Sequence, residues 1–189
     1  MTDAILQQFD DHVVTVNALR QCASEIESGA RRCADALEAG GKILICGNGG
    51  SAADAQHIAA ELIGRFINDR RPLPAIALTT DTSALTAIGN DYGFADVFSR
   101  QVAGLAVSGD VLIAISTSGN SENVNRACEV ARDKGCSVVA LSGKGGGALN
   151  ALADVSVVVP SSTTARIQEC HILIGHLFCG LIEDALELN

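Results

Sequence analysis

From residue 42 onward, five short runs of aliphatic and β-branched residues, at 42–46, 75–78, 111–116, 137–141 and 155–159, are separated by longer stretches with helical apolar spacing. Strands and helices in alternation bury their apolar faces most economically as a parallel sheet with crossover helices on its faces. The run Val111-Leu112-Ile113-Ala114-Ile115 is apolar without interruption, as a strand covered on both faces requires. A half-exposed strand would alternate apolar and polar residues instead. The expected fold class is therefore α/β, built on βαβ units.

Before this region, residues 4–37 carry apolar side chains at helical spacing, as in Ile5, Phe9, Val13, Val16 and Leu19, with Gly29 expected to break the stretch into two helices. A last helix is expected over 165–188. The 189 residues suit one domain, 1–189, with 1–40 as an N-terminal helical arm. Hydrophobic residues at 48% against 19% charged exclude disorder and leave surface for a large subunit interface. A net charge of -9 without Lys/Arg clusters counts against nucleic acid and anionic membranes as partners. Cys22, Cys33, Cys46, Cys128, Cys136, Cys170 and Cys179 are odd in number and hold no Cys-x-x-Cys, so reduced, buried thiols are expected. With no signal-peptide pattern and no membrane-length apolar run, the expected location is the cytoplasm.

Two turns carry chemistry. Cys46-Gly47-Asn48-Gly49-Gly50-Ser51 follows the first strand, and Ser116-Thr117-Ser118-Gly119-Asn120-Ser121 follows the third. Each precedes a helix, whose N-terminal amides and dipole attract an anion. One or two hydroxyls would cap a helix; six consecutive small polar residues exceed that need. Neither turn ends in Gly-Lys-Ser/Thr or contains Gly-x-Gly-x-x-Gly, which favours a monophosphate over a nucleotide. Beyond the first turn, His57 and Glu61 share a helical face, and on the last helix Gln168 and His176 lie eight residues apart. These four could ligate a divalent metal such as zinc; the residues alone leave this open against ordinary exposed helical pairs.

Four motifs carry a resemblance: Gly47-Asn48-Gly49-Gly50-Ser51-Ala52-Ala53-Asp54-Ala55-Gln56-His57, Ala87-Ile88-Gly89-Asn90-Asp91-Tyr92-Gly93, Ile115-Ser116-Thr117-Ser118-Gly119-Asn120-Ser121 and Arg166-Ile167-Gln168-Glu169. Together they resemble the phosphoheptose isomerase family, within the wider sugar-isomerase (SIS) superfamily, almost end to end. The resemblance implies a three-layer αβα sandwich with a five-stranded parallel flavodoxin-like sheet, assembled as a homotetramer with active sites where subunits meet. It implies an aldose–ketose isomerase acting on sedoheptulose 7-phosphate through an enediol, with one zinc ion per subunit. Carried over by position, Ser116, Thr117, Ser118 and Ser121 would hold the phosphate. Asn48, Gly49, Gly50, Ser51, Asn90, Asp91, Glu61 and Gln168 would meet the substrate; His57, Glu61, Gln168 and His176 would hold zinc; Glu61 and His176 would be the acid–base pair. Two alternatives share the fold: a non-catalytic tetrameric SIS regulator that associates with the bacterial replication initiator, and an isomerase for another sugar phosphate. The regulator's pattern lacks the carboxylate that Glu61 supplies here.

Overall fold

The computed structural model describes residues 1–188. Five parallel strands, β1 (Ile43–Gly47), β2 (Ala75–Ala77), β3 (Val111–Ser116), β4 (Ser137–Ser142) and β5 (Val155–Val158), form one sheet in the order β2-β1-β3-β4-β5. The helices are α1 (Thr2–Leu19), α2 (Ala23–Glu38), α3 (Gly50–Ile63), α4 (Thr82–Asp91), α5 (Ser99–Leu105), α6 (Glu122–Asp133), α7 (Leu149–Leu152) and α8 (Thr164–Ala185). The expected strands are all present, displaced by a residue at most at either end.

Successive strand side chains point to opposite faces, so the three central strands β1, β3 and β4 each feed two cores, while the edge strands β2 and β5 feed only the first. Ile43, Ile45, Ile113 and Ile115 enter one core with α2, α3 and α8; Leu44, Cys46, Leu112 and Ala114 enter the other with α5, α6 and α7. This double coverage explains the unbroken apolar character of β3, all six of whose residues are buried. The seven cysteines are free and buried. Cys22, Cys33, Cys170 and Cys179 lie in the first core, and Cys46, Cys128 and Cys136 in the second. Burial pushes the thiols of Cys33, Cys128 and Cys179 up to about 12.

The N-terminal stretch differs from expectation at Gly29. The helices part at a 3₁₀ turn, Arg20–Cys22, and Gly29 lies within α2. A Cβ on Gly29 would sit 2.8 Å from the Phe178 ring, so the glycine serves the close approach of α2 to α8. On α1, Ile5, Phe9 and Val13 are exposed, although they share one helical face. Two polar contacts pin α1 to the start of α8: Arg166 donates to the Gln8 carbonyl at 2.6 Å, and His12 Nδ1 meets Glu169 Oε2 at 2.7 Å. Among the described residues, no helix is long and apolar enough to cross a membrane.

Candidate active site

The strand order reverses direction between β1 and β3, and ligands in open parallel sheets lie beyond the carboxyl ends of the strands at such a point. Both chemistry-bearing turns leave the sheet there, with Gly47 of β1 directly beside Ile115 of β3. The first turn is tight. A Cβ on Gly47 would meet Ser51 Cβ at 2.8 Å, and Gly49 has φ +57°. Asn48 and Asn123 exchange a pair of amide hydrogen bonds, both 2.8 Å, which tie this turn to the first turn of α6.

In the second turn, Ser116 Oγ and Ser121 Oγ are 2.9 Å apart, and Ser118 Oγ accepts from the Asn120 amide at 3.1 Å. Thr117, Ser118 and Ser121 are half-buried, with Ser121 at the N-cap of α6. The glycine turn after β4 braces this loop: the Ala148 N–H donates to Asn120 Oδ1 at 3.0 Å. Gly119, at φ +66°, lies so close that a Cβ would fall 1.8 Å from the Gly146 carbonyl oxygen. The hydroxyls and the free amides of α6 therefore sit on a rigid base, suited to an anion held without a fixed cation.

Residues 50, 54, 57 and 61 form one stripe along α3, and this stripe faces α8. At its N-terminal end, Gln168 packs over Gly50, where a Cβ would be 2.5 Å from Gln168 Nε2. Further along, His57 Nε2 lies 2.9 Å from His176 Nε2 and 3.5 Å from Glu61 Oε1. His57, Glu61 and His176 thus come together between α3 and α8. Gln168 is near the glycine turn, its backbone about 12 Å along α8 from that of His176 at 1.5 Å per residue. Asn90 and Asp91 lie at the exposed end of α4, where Asn90 donates to Asp91 at 2.8 Å. No hydrogen bond among the described residues joins them to the other site residues in this protomer.

Bonds of about 2.0 Å from zinc to nitrogen or oxygen put neighbouring tetrahedral ligands about 3.3 Å apart. The separations of 2.9 and 3.5 Å around His57 Nε2 lie on either side of that value, and two imidazoles with a carboxylate are a zinc-type donor set. Among the described residues, three or more His, Cys, Asp or Glu side chains do not already close into a metal cage. A fourth ligand from Gln168 requires its side chain to leave the Gly50 turn.

Three residues of this region carry no role in the sequence reading. Asn123 is almost fully buried in the amide pair, yet in sequence it is one polar residue in a helix. Asp54 belongs to the α3 stripe, and its Oδ2 is buried without a hydrogen-bond partner; burial raises its carboxyl above the ordinary range, and His57 pulls it partly back. Phe66 stacks on His176, ring centroids 5.6 Å apart at 24°. No periodic or spacing signal marks Phe66.

A 2-1-3-4-5 parallel sheet makes this a doubly wound, flavodoxin-like α/β domain, and a SIS domain model that matches residues 9–143 places it in the sugar-isomerase class. Narrower likenesses place it within that class. The chain is 65% identical over 153 residues to the phosphoheptose isomerase of Nitratiruptor sp., covering 81% of this chain and 82% of the relative. It is 55% identical to that of Aliarcobacter butzleri, covering 98% and 99%. The solved phosphoheptose isomerase of Neisseria gonorrhoeae superimposes with a TM-score of 0.91 at 47% identity, covering 97% of this chain and 98% of that one. That of Francisella tularensis gives 0.94 at 42% identity, with the same coverage. The chain belongs to the phosphoheptose isomerase family and is an isomerase.

Proposed function

We propose that this chain converts D-sedoheptulose 7-phosphate into D-glycero-D-manno-heptose 7-phosphate through an enediol, the first step toward the activated heptose of cell-surface glycans. The observation that carries this reading is the convergence of Glu61, His57 and His176 on facing helices, on the same α3 that begins at the glycine turn. One end of the substrate is then an anion for Ser116, Thr117, Ser118, Ser121 and the amides of α6. Asn48, Gly49, Gly50, Ser51 and Gln168 line the path between that anchor and the acid–base pair.

The open-chain ketose has a carbonyl at C2 and acidic protons at C1. Glu61 removes one C1 proton while the C2 oxygen gains a proton, giving the enediol. His176 then delivers a proton to C2 as the C1 hydroxyl loses its own, which leaves an aldehyde at C1. His57, between the two, orients both groups. Because His176 Nε2 faces His57 at 2.9 Å, proton delivery from that nitrogen needs the contact broken, so ligand and acid roles fall in successive states. Zinc held by His57, Glu61, His176 and a re-aimed Gln168, one ion per subunit, would supply charge stabilisation for the oxyanion.

We place Asn90 and Asp91 in the site of a neighbouring copy within a homotetramer. Their exposure supports this, as do the exposed Tyr92 and Phe94 beside them and the unpartnered Ile5, Phe9 and Val13 face of α1. A nearly apolar groove of about 390 Å³, with Val16, Leu19, Ile26, Leu173, Leu177 and Leu181 among its lining, offers a further contact surface. The net charge of -9 without Lys/Arg clusters argues against nucleic-acid and membrane partners, and the seven free, buried thiols favour a reducing compartment such as the cytoplasm. The deciding experiment is product detection with a panel of five-, six- and seven-carbon ketose phosphates. Turnover confined to the seven-carbon substrate is expected; turnover of a shorter sugar instead, or of none, would refute the assignment.

A further inference from the structure

The segment after α3 is held by a buried ion pair that reaches both halves of the acid–base pair. The Arg70 and Glu183 side chains are each 2% exposed, with Nε to Oε1 at 2.8 Å. The Arg70 guanidinium donates to the carbonyls of Glu61 at 2.9 Å, Leu62 at 2.7 Å and Gly64 at 3.3 Å, so it serves carbonyls that the end of α3 leaves without helical partners. Glu183 accepts from the backbone N–H groups of Phe66 at 3.1 Å, Ile67 at 3.3 Å and Asn68 at 3.5 Å. Burial alone would raise its carboxyl, but these bonds and Arg70 outweigh it and hold the group below the ordinary range. Held in this way, Phe66 lays its ring on His176. Glu183 and His176 are two turns apart on the same face of α8.

We propose that Arg70, Glu183 and Phe66 form a positioning device for the acid–base pair: Arg70 fixes the backbone of Glu61, Glu183 fixes the segment carrying Phe66, and Phe66 fixes the plane of the His176 ring. The inference rests on the roles given above to Glu61 and His176. The device works at the C-terminal end of α3, whereas the anion-binding turns lie at the N-terminal ends of α3 and α6. Its loss therefore acts on the chemical step and spares substrate capture. A misplacement of about 1 Å between reacting groups costs about a hundredfold in rate, so a partial loosening should cost about tenfold or more.

The test uses full-length enzyme carrying Glu183→Gln, which keeps the shape and an acceptor oxygen but leaves Arg70 without its counter-charge. With circular dichroism and oligomeric state unchanged, kcat should fall about tenfold or more while KM for the ketose phosphate stays within about twofold. Independently of activity, the chain has only four histidines, so their imidazole signals in nuclear magnetic resonance can be followed singly. The His176 signal should shift or broaden, while that of His171, bonded to the Ser142 carbonyl in the core, should stay. A folded variant with wild-type kcat and an unmoved His176 signal overturns the proposal, as does a rise in KM at constant kcat. If Glu183→Gln does not fold, Phe66→Leu takes its place: it leaves the ion pair whole and should lower kcat alone, with Phe66→Tyr restoring it. Wild-type kcat in Phe66→Leu overturns the proposal equally. Failure of the wild-type enzyme to turn over any ketose phosphate would instead strike the functional assignment, and the imidazole signals would still decide this one.

Discussion

His171 gives α8 a built-in sensitivity to acid that can be worked out from its surroundings. The ring is fully buried; Nε2 meets the Ser142 carbonyl at 3.1 Å, so that nitrogen carries the proton. Nδ1 is buried with no partner. Protonating Nδ1 would place a charge and an unmet donor in an apolar layer, and burial accordingly lowers the imidazole from 6.5 to about 4, the bond to Ser142 resisting only in part. The folded state is therefore the weaker proton binder. Its stability is undiminished above about pH 6.5 and is lost as pH falls toward 4, because the unfolded chain takes up the proton first. At about 1.4 kcal/mol per pH unit, the loss is about 2 kcal/mol at pH 5 and about 3 kcal/mol at pH 4 relative to pH 7. His171→Leu removes this dependence, and the Ser142 carbonyl keeps its bond from the Val159 N–H at 2.8 Å. Urea unfolding of both proteins at equal concentration, from pH 7 to pH 5, should show the wild type losing about 2 kcal/mol more than the variant. Parallel curves would refute the argument, since they would mean that the folded protein accommodates a charged His171.

Other expectations follow from the site. Glu61→Gln keeps the shape of the α3 stripe but removes the base, so turnover should disappear with thermal unfolding unchanged; retained turnover would remove Glu61 from the mechanism. Replacing Ser118 and Ser121 together by Ala should chiefly raise KM, because phosphate contacts are the same in ground and transition states; an unchanged KM would place the phosphate elsewhere. Dialysis against a chelator should abolish activity and stoichiometric zinc should restore it. Full activity at a metal content near zero by atomic absorption would dispose of the zinc proposal.

Local spacing made much of this legible. Strands β1, β3 and β4 announced themselves because both faces are covered, the edge strands β2 and β5 as short aliphatic runs between helical stretches, and His57 and Glu61 share a helical face by count alone. Gly29 misled because a glycine within a helical pattern signals a break when nothing shows what it packs against; the Phe178 ring that demands it is far away in the chain. The same holds for Arg70 and Glu183, 113 positions apart, and for the amide pair of Asn48 and Asn123, 75 apart. Each member alone reads as an ordinary polar residue. Asn90 and Asp91 illustrate the opposite case: their motif stands out in the sequence, yet one protomer leaves them at its surface.

The division of the cysteines between the two faces of the sheet turns the wild-type chain into its own opening gauge. A thiol reagent in solution can modify Cys33 or Cys179 only when the α2–α8 side lifts, and Cys46 or Cys128 only when the α5–α6 side does. Reading which of these sulfurs is labelled first, by mass spectrometry of timed digests, would show which half of the sandwich breathes before the other.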